Sequence, residues 1–391
     1  MKFLFILTKD SIFDIPWTLR QMNYEVDIFE EAVYDPNLSV ETDNLLIYDR
    51  LASTRYDYVI SYLFIPAISD ACHNVKIPYI SWTYDSPLVA IFKDSVFHPT
   101  NYTFIFDYAE FYRLKSIDVP HVYHLPLAVN LERTGVLNIT PEDEKQFSHD
   151  ISFVGGLYEK NSYNNSIHTF PELYKLELKL YLMKNLCQWN DIRPWPELSD
   201  GITSYMISSF GADKWNTSEL LSNNIYLGIL LLSRKLAEME RITVLNTLAT
   251  QFKVDLYTKS DTCHLQNVTI HSGVDYYTDM NKIFYLSKIN LNITLPSIET
   301  GIPQRILDIM GCGGFVLTNY QAEIDEFFVI GEEIEVYHNL DELVEKCTYY
   351  LSHEKERLRI AMNGYKKIRE HFTYAVQLQR IINIVEEEQS L

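Results

Sequence analysis

The sequence predicts an α/β protein built from two doubly wound domains in tandem. Short apolar segments of strand length alternate with amphipathic helical segments along the chain. This alternation starts twice, at residues 2–7 and again at 150–161, with a polar stretch at 131–149 between the two series. The chain of 391 residues is also long enough for two or three domains of ordinary size.

Residues 1–130 are predicted to form an N-terminal Rossmann-like domain. Its apolar runs are separated by helical segments, which is typical of a parallel sheet with crossover helices. The expected strands are 2–7, 24–30, 57–64, 77–85, 102–107 and 122–130, and the expected helices are 15–22, a segment ending near 74, and 109–116.

Residues 150–372 are predicted to form a second Rossmann-like domain, after a linker at 131–149. Its later strands are expected at 252–259, 267–273, 289–294, 314–319 and 334–338. Its helices are expected near 276–287, 303–311, 322–328, 341–351 and 354–371. A helical insertion at about 160–250 departs from the α/β pattern, and a last helix in 373–391 is expected to pack back on the first domain.

Composition and charge exclude several classes of protein. Hydrophobic residues make up 47% and charged residues 22% of the chain, which is typical of a folded globular protein. A net charge of −20 repels nucleic acid, so no nucleic-acid partner is expected. The chain has no run of about 18 apolar residues, so no transmembrane helix is expected. Five scattered cysteines without a C-x-x-C pair favour a reducing cytoplasm, and the oligomeric state stays open.

Two glycines, Gly155 and Gly156, follow the first predicted strand of the second domain. Glycine allows the backbone to approach a ligand closely, and a helix that follows would favour an anion at its first N–H groups. Lys160 would add a positive charge. The alternative is a plain strand-to-helix turn without a ligand.

A second candidate phosphate site lies in the segment PSIETGIPQRILDIMGCGGFVLTN, residues 296–319. Thr300 and Gly301 follow a buried strand and offer backbone N–H groups. Pro303 suits the first turn of a helix because it lacks an N–H. Arg305 would then lie near the anion-favouring end of that helix, and its guanidinium matches phosphate oxygens.

Asp308 lies one turn beyond Arg305, on the same face of the predicted helix. Its carboxylate could accept hydrogen bonds from the vicinal hydroxyls of a ribose, and Glu299 could face a sugar. The alternative for Arg305 and Asp308 is an ion pair on a solvated helix. Together with the two glycines, these residues predict a site for a nucleoside diphosphate.

Further candidate ligand-binding residues lie in the first domain. Asp85, in the segment WTYDSP, could act as a base on a ligand hydroxyl or hydrogen-bond a sugar. Trp82 and Tyr84 could stack on a sugar, and Lys9 and Asp10 follow the first strand in a loop. The alternatives are an Asp-Ser-Pro turn at Asp85 and a solvated turn at Lys9.

No catalytic metal is predicted. The chain contains neither a D-x-D pair nor an H-E-x-x-H motif, which would hold a divalent ion. His121, His124 and His271 lie near predicted strand ends, where a lone histidine is more often structural than catalytic.

The sequence resembles a known family in several segments. GIPQRILDIMGCGGFVLTN at 301–319 and the segment that follows it resemble the C-terminal half of the CgeB-like glycosyltransferases, which are GT-B proteins related to the retaining glycosyl transferases of group 1. The segment from Tyr56 to Pro87 resembles the N-terminal domain that often accompanies them, and HDISFVGGLY at 149–158 fits the start of their second domain.

The resemblance implies a GT-B fold, with two Rossmann-like domains facing a cleft. It implies a metal-independent, retaining transfer from a nucleoside-diphosphate sugar to a hydroxyl of a protein Ser/Thr or a glycan. The helical insertion would then set acceptor specificity. The alternatives are a nucleotide-sugar epimerase or phosphorylase, or a non-catalytic subunit that binds a sugar nucleotide.

The resemblance also implies roles for individual residues. The loop 300–305, which includes Ile302, and the two glycines would hold the diphosphate, and Asp308 would hold the ribose where the family usually has Glu. The N-terminal domain would meet the acceptor, so the candidate acceptor-binding residues are Lys9, Asp10, Trp82 and Tyr84. Independently of the resemblance, we expect Asp85, Lys160 and Arg305 to be catalytic. The better-known relatives carry an Arg near the position of Gly156, so Arg305 or Arg241 would supply that charge here.

Overall fold

The computed structural model divides into two compact units. The first combines residues 1–128 with 372–390 and a short piece at 220–221, and the second contains most of residues 129–371. The structure describes residues 1–8, 12–34, 41–134, 137–190, 195, 197–210 and 220–390.

The first unit is a six-stranded parallel sheet with helices between its strands. Its elements are β1 (Lys2–Thr8), α1 (Asp14–Gln21), β2 (Glu25–Tyr34), α2 (Glu41–Ser53), β3 (Tyr58–Tyr62), α3 (Pro66–Val75), β4 (Tyr79–Trp82), β5 (Asn101–Ile105), α4 (Tyr108–Lys115) and β6 (Val122–His124). The strand order is β2-β1-β3-β4-β5-β6, and every paired strand is parallel. The residues of β3, β4 and β5 are all buried, as expected for a sheet that helices cover on both faces.

The second unit contains another six-stranded parallel sheet. Its elements are α5 (Leu131–Thr134), α6 (Pro141–Phe147), β7 (Ile151–Val154), α7 (Ser162–Ser166), α8 (Glu172–Asn185), α9 (Asp200–Phe210), α10 (Asn223–Leu227), α11 (Arg234–Leu248), β8 (Val254–Thr258), β9 (Thr269–Ser272), α12 (Asp279–Leu286), β10 (Ile289–Asn292), α13 (Gln304–Gly311), β11 (Val316–Asn319), α14 (Ile324–Phe327), β12 (Glu335–Tyr337), α15 (Leu340–Ser352) and α16 (Glu354–His371). A π-helical segment, Gly228–Ser233, joins α10 to α11.

The second sheet has the strand order β12-β11-β10-β7-β8-β9, all parallel. The chain builds outward from β7 to β9, then returns to the other side of β7 and builds outward again from β10. The order therefore reverses between β7 and β10. In doubly wound sheets the crevice at the carboxyl ends of the two strands beside such a reversal is where ligands bind.

The chain returns to the first unit in its last helix, α17 (Tyr374–Gln389). Tyr374, Leu378, Ile381, Ile382 and Val385 form one apolar stripe of this helix, and all are buried in the same core as side chains of β1, β3 and β4. The i, i+4, i+7, i+8, i+11 spacing of these residues explains why one face of α17 is buried.

The insertion between β7 and β8 has its own apolar core. Side chains of α8, α9 and the segment before α11 meet there, among them Leu178, Leu182, Ile202, Met206 and Leu231. The mostly helical character predicted for residues 160–250 therefore agrees with the described part of this region.

The α/β class and the two doubly wound sheets are confirmed, and several element bounds differ from the predictions. The strand predicted at 122–130 ends at His124, and the Leu125 N–H still donates a ladder hydrogen bond to Ile105 O at 2.8 Å. Strand β2 extends to Tyr34, and α2 was not predicted. Pro303 is the residue before α13 rather than its first residue.

We expect Ile381→Ala to destabilise the protein by about 2–5 kcal/mol, because the side chain is fully buried in the core of the first unit. Urea unfolding monitored by tryptophan fluorescence would measure the change. Glu387→Ala, on the exposed face of the same helix, is the control and should stay within about 0.5 kcal/mol of the parent. Equal effects of the two substitutions would contradict a packed role for α17.

Candidate functional site

The candidate site lies at the carboxyl ends of β7 and β10, on either side of the reversal in the second sheet. Gly155 and Gly156 directly follow β7, and the loop 293–303 follows β10 and leads into α13. The Gly155 N–H still donates to Tyr257 O at 3.1 Å, so the sheet ladder continues one residue past β7. The two predicted phosphate-binding segments are therefore neighbours at the carboxyl ends of two central strands of the sheet.

Arg241, on α11, connects these two loops. Its guanidinium donates from Nη1 to the Gly156 carbonyl and from Nη2 to Ile293 O at 2.8 Å. The group is buried and lies over the rings of Phe153 and Tyr158, at 5.2 and 4.5 Å from their centroids. Burial lowers the pKa of Arg241, Tyr158 opposes this effect, and the charge of Arg305 adds a smaller lowering.

The loop after the two glycines is also held by α11. Glu238 accepts hydrogen bonds from Asn161 Nδ2 and Asn164 Nδ2, both at 2.8 Å, and from Lys235 Nζ at 3.0 Å. Asn161 is the N-cap of α7, which begins only at Ser162. No helix therefore starts directly after Gly156, and the expected anion-favouring helix end is absent from that point of the described chain.

The loop after β10 is fixed by side chains that follow β11. Thr300 Oγ1 donates to Glu323 Oε1 at 2.7 Å, and the Glu323 N–H donates to Thr300 O at 3.1 Å. Gln321 Nε2 donates to Ile298 O at 3.0 Å and to Gly301 O at 3.3 Å. The hydroxyl of Thr300 thus stabilises the loop.

Arg305 lies in the first turn of α13, as predicted. Its side chain is 29% exposed, and Nη1 lies 3.6 Å from Asp308 Oδ2. The guanidinium lies over the ring of Phe284, at 5.3 Å from the centroid. The side chain is therefore partly accessible and oriented by its neighbours, at the helix end where anions are favoured.

Asp308 is buried rather than solvated. Its Oδ1 accepts hydrogen bonds from Tyr276 Oη and Gln304 Nε2, both at 2.9 Å. Burial raises the pKa of Asp308, while Arg305, Gln304 and Tyr276 lower it. The ion pair with Arg305 does form, but on a buried face, and a ribose would have to compete with Tyr276 and Gln304 for Oδ1.

The remaining predicted donor residues differ in their surroundings. Glu299 is half-buried and lines a small cavity with Trp189, Thr294 and Tyr320. Ile302 is buried, so only its backbone is suited to a polar ligand. Lys160 is exposed. Burial raises the pKa of its neighbour Glu159, but hydrogen bonds at that carboxylate and, to a smaller extent, the charge of Lys160 lower the pKa overall.

In the first unit, the structure contradicts the expectation that Trp82 stacks on a sugar. Trp82 ends β4, is fully buried, and packs edge-on against Tyr84 and Tyr374, with centroid distances of 5.5 and 5.6 Å. The reason is that α17 covers this face of the sheet. Tyr84 is half-buried, and its hydroxyl donates to Tyr374 Oη at 2.7 Å.

Asp85 is exposed in the turn after β4. The next residue, Ser86, donates from Oγ to Asp107 Oδ2 at 2.9 Å, and the Leu88 N–H donates to Glu110 Oε1 at 2.7 Å. Asp107 also caps α4 by accepting from the Ala109 N–H at 3.0 Å. Two buried acids therefore hold the Asp85 turn in place. Lys9 and Asp10 lie outside the described residues.

The sequence predicts for Arg241 only that it could supply a positive charge near the diphosphate, and it predicts no role for Glu238, Gln321 and Glu323. The structure shows that these four side chains fix the backbone of the two candidate loops. Arg241 and Glu238 share one face of α11 at a spacing of three residues, but that spacing alone also fits an ordinary surface. Only the positions of the loops reveal the contacts.

The comparison with protein families matches part of the second unit and the N-terminal part of α17. Residues 235–383 match the family model described as "Glycosyl transferase-like". The matched span contains Arg241, Arg305 and Asp308. This match confirms the glycosyltransferase class that the sequence predicts, for less than half of the chain.

Among curated proteins, an uncharacterized protein of Aquifex aeolicus is 28% identical over 115 residues. The aligned segment spans 29% of this chain and 28% of that protein.

Solved structures confirm the GT-B fold. Anabaena HepE in complex with UDP and glucose has a TM-score of 0.58 at 11% identity, and its complex with UDP-glucose has 0.54 at 12%. Sucrose-phosphate synthase from Thermosynechococcus elongatus has a TM-score of 0.52 at 10% identity. All three alignments cover 100% of both chains. At such identity the likeness shows the fold alone.

Glu110 generates a prediction about pH. Burial raises the pKa of Glu110 from 4.5 to about 8, with Asp107 raising it further and the Leu88 N–H and Arg113 opposing. An acid whose folded pKa is raised loses stability as pH rises from its unfolded to its folded pKa. We expect Glu110→Gln to gain stability relative to the parent between about pH 5 and pH 8, by a few kcal/mol.

Urea unfolding of both proteins across this pH range would measure the gain. Glu144→Gln, on an exposed surface, is the control and should show no such trend. If the free energies of unfolding of Glu110→Gln and the parent differed by the same amount at all pH values, this would contradict the claim that Glu110 is protonated in the folded protein.

Proposed function

We propose that the protein transfers a sugar from a nucleoside-diphosphate-sugar donor to an acceptor hydroxyl. The observation that carries the proposal is the pairing of the Gly155–Gly156 loop with the loop leading into α13. These loops flank the reversal in a GT-B sheet. The residues that support the second loop, Arg241, Gln321 and Glu323, lie in the span that matches the glycosyl transferase-like family.

The diphosphate would lie against the first turn of α13 and the Arg305 guanidinium. Helix N-termini favour anions, and charged donors form strong hydrogen bonds to phosphate. Arg241 adds a second positive charge nearby, although its N–H groups already bind Gly156 and Ile293. In a protein of net charge −20, this local positive charge would attract the donor and stabilise the departing diphosphate without a metal ion.

A UDP-sugar is the first donor to test. Anabaena HepE was solved with UDP, with UDP and glucose, and with UDP-glucose, and it shares the fold over its whole length. Glu299 and the backbone at Gly301 would face the sugar. Asp308 would bind the ribose by replacing its hydrogen bond from Tyr276 or Gln304 with one from a ribose hydroxyl. Membership of the CgeB-like group and retention of the anomeric configuration are parts of this proposal that rest on the sequence resemblance.

The acceptor is proposed to be a hydroxyl of a protein Ser/Thr or of a glycan, with Asp85 as its base and Tyr84 beside it. Lys160 would assist at the diphosphate. The exposure of Asp85 and the rigid support of its turn by Asp107 and Glu110 favour this role.

A cytoplasmic setting is supported by the cysteines, all in described positions, because none of the five forms a disulfide. No helix in the described part of the chain is long and apolar enough to cross a membrane.

A second candidate is a subunit that binds a sugar nucleotide without transferring the sugar. The observation that favours it is the Asp308 carboxylate, whose Oδ1 is already bonded to Tyr276 and Gln304. An epimerase or phosphorylase on the same fold would also bind the donor. Release of UDP that depends on an acceptor separates transfer from epimerisation and from binding alone.

We expect Arg305→Met to weaken UDP binding at least tenfold, because a charge-assisted hydrogen bond contributes about 1.5–3 kcal/mol and about 1.4 kcal/mol corresponds to a factor of ten. Isothermal titration calorimetry with UDP would measure it. Arg369→Met is the matched control, since Arg369 is exposed near the end of α16. Unchanged affinity in Arg305→Met, with native circular dichroism, would remove Arg305 from the donor site.

We expect Asp85→Asn to lower turnover by at least about 100-fold with little change in UDP affinity, because an amide cannot accept the acceptor's proton. UDP release from UDP-glucose, with water as the acceptor, provides the readout. Asp94→Asn, at another exposed position of the first unit, is the control. Equal activity of the two variants would make Asp85 a turn residue.

A further inference from the structure

Three side chains that the proposed transfer does not use converge on one point of the second unit. His149 precedes β7, Asp255 is the second residue of β8, and His271 is the third residue of β9. His149 Nδ1 lies 3.2 Å from Asp255 Oδ2, and His271 Nε2 lies 2.7 Å from Asp255 Oδ1. One ligand atom from each residue lies within 4.8 Å of the other two.

These distances suit a small divalent transition-metal ion. Zinc binds imidazole nitrogen and carboxylate oxygen at about 2.0–2.2 Å, so neighbouring ligand atoms in a tetrahedral site are roughly 3.3 Å apart. The separation of His149 Nδ1 from Asp255 Oδ2 already matches. His271 Nε2 contacts the other oxygen of the same carboxylate, Oδ1, at 2.7 Å, so the partly exposed His271 side chain has to shift slightly for both histidines to face one ion.

The orientation of both rings is fixed by Tyr257. Its hydroxyl lies 2.7 Å from His149 Nε2, and its ring stacks on His271 with centroids 4.4 Å apart and planes 14° apart. A metal-binding histidine usually has its second ring nitrogen held by such a partner, which sets the tautomer and the direction of the ring. With the His149 proton on Nε2, facing the Tyr257 oxygen, the Nδ1 lone pair points toward Asp255.

Burial of the cluster is graded from inside to outside. The side chain of His149 is 9% exposed, that of Asp255 13% and that of His271 30%. An ion can therefore enter beside His271.

The cluster is separate from the candidate donor site. His149 and Asp255 lie at the amino end of their strands, whereas Gly155 and Gly156 lie beyond the carboxyl end of β7. Val254 and Leu256 point from β8 into the main core of the unit, so Asp255 lies on the opposite face of the sheet. An ion here would not contact the diphosphate, and the site leaves the metal-independent transfer unaffected.

We propose that His149, Asp255 and His271 bind one divalent transition-metal ion, with Zn²⁺ as the best match, and that water completes its coordination. Such ions prefer a donor set that includes neutral imidazoles, like the two imidazoles and one carboxylate here, whereas Mg²⁺ and Ca²⁺ prefer sites with only oxygen ligands. On binding, each imidazole keeps one proton, on the nitrogen that faces away from the ion. The ion would join the region before β7 to β8 and β9, and so stabilise the edge of the sheet.

The test uses the full-length protein, first treated with a chelator and then titrated with ZnCl₂ and, separately, with CoCl₂. We expect binding of one Zn²⁺ per chain with a rise in the melting temperature, and visible absorption from Co²⁺ in a tetrahedral site. MgCl₂ at the same concentrations should produce no such rise.

Two variants test the residues. His271→Gln removes a partly exposed ligand and should weaken Zn²⁺ binding by at least about tenfold, and Tyr257→Phe should weaken it by about tenfold through the loss of the His149 partner. His98→Gln is the matched control, because His98 pairs with Asp70 at 2.8 Å in the first unit. We expect it to bind Zn²⁺ like the parent.

Two results would overturn the proposal. One is the absence of stoichiometric Zn²⁺ or Co²⁺ binding by the folded parent protein. The other is equal binding by the parent and His271→Gln, which would assign the metal to other histidines. If His271→Gln failed to fold, Asp255→Asn and Tyr257→Phe would be read in the same way.

Discussion

The candidate site depends on one buried interaction, the bridge that the Arg241 guanidinium forms between the Gly156 carbonyl and Ile293 O. These carbonyls belong to the loops after β7 and β10, which lie side by side only because the strand order reverses there. A buried guanidinium is costly unless its N–H groups are bonded, and the aromatic rings of Phe153 and Tyr158 also contact it. The same residue thus connects both halves of the sheet and brings positive charge to the edge where a donor would bind.

The rest of the site is prearranged by side chains from neighbouring elements. Glu238 holds the loop before α7, while Gln321 and Glu323 hold the loop before α13. A site whose backbone is fixed before the ligand arrives loses less entropy on binding. The helical insertion contributes to this arrangement through α11, so its role includes support of the site, beyond the acceptor specificity expected from the sequence.

The first unit shows how burial changes the meaning of an aromatic motif. Trp82 and Tyr84 stand in a segment that suits sugar stacking, yet Trp82 is fully buried against Tyr374 of α17. The residue that completes this core lies almost three hundred positions further along the chain. Asp85, directly after the aromatic pair, stays exposed, and its turn is held by Asp107 and Glu110. The motif therefore divides into a core part and an exposed carboxylate.

By itself, the sequence determined the α/β class, the two doubly wound series, the place of Arg305 in the first turn of α13 and the glycosyltransferase class of the matched span. Those properties follow from local periodicity and from motifs whose residues are close in the chain. Only the tertiary structure decided that Arg241 bridges two loops, that Asp308 is buried beside Tyr276, and that His149, Asp255 and His271 converge. Each of these arrangements joins residues from different elements, and no local pattern encodes the strand order that brings such elements together.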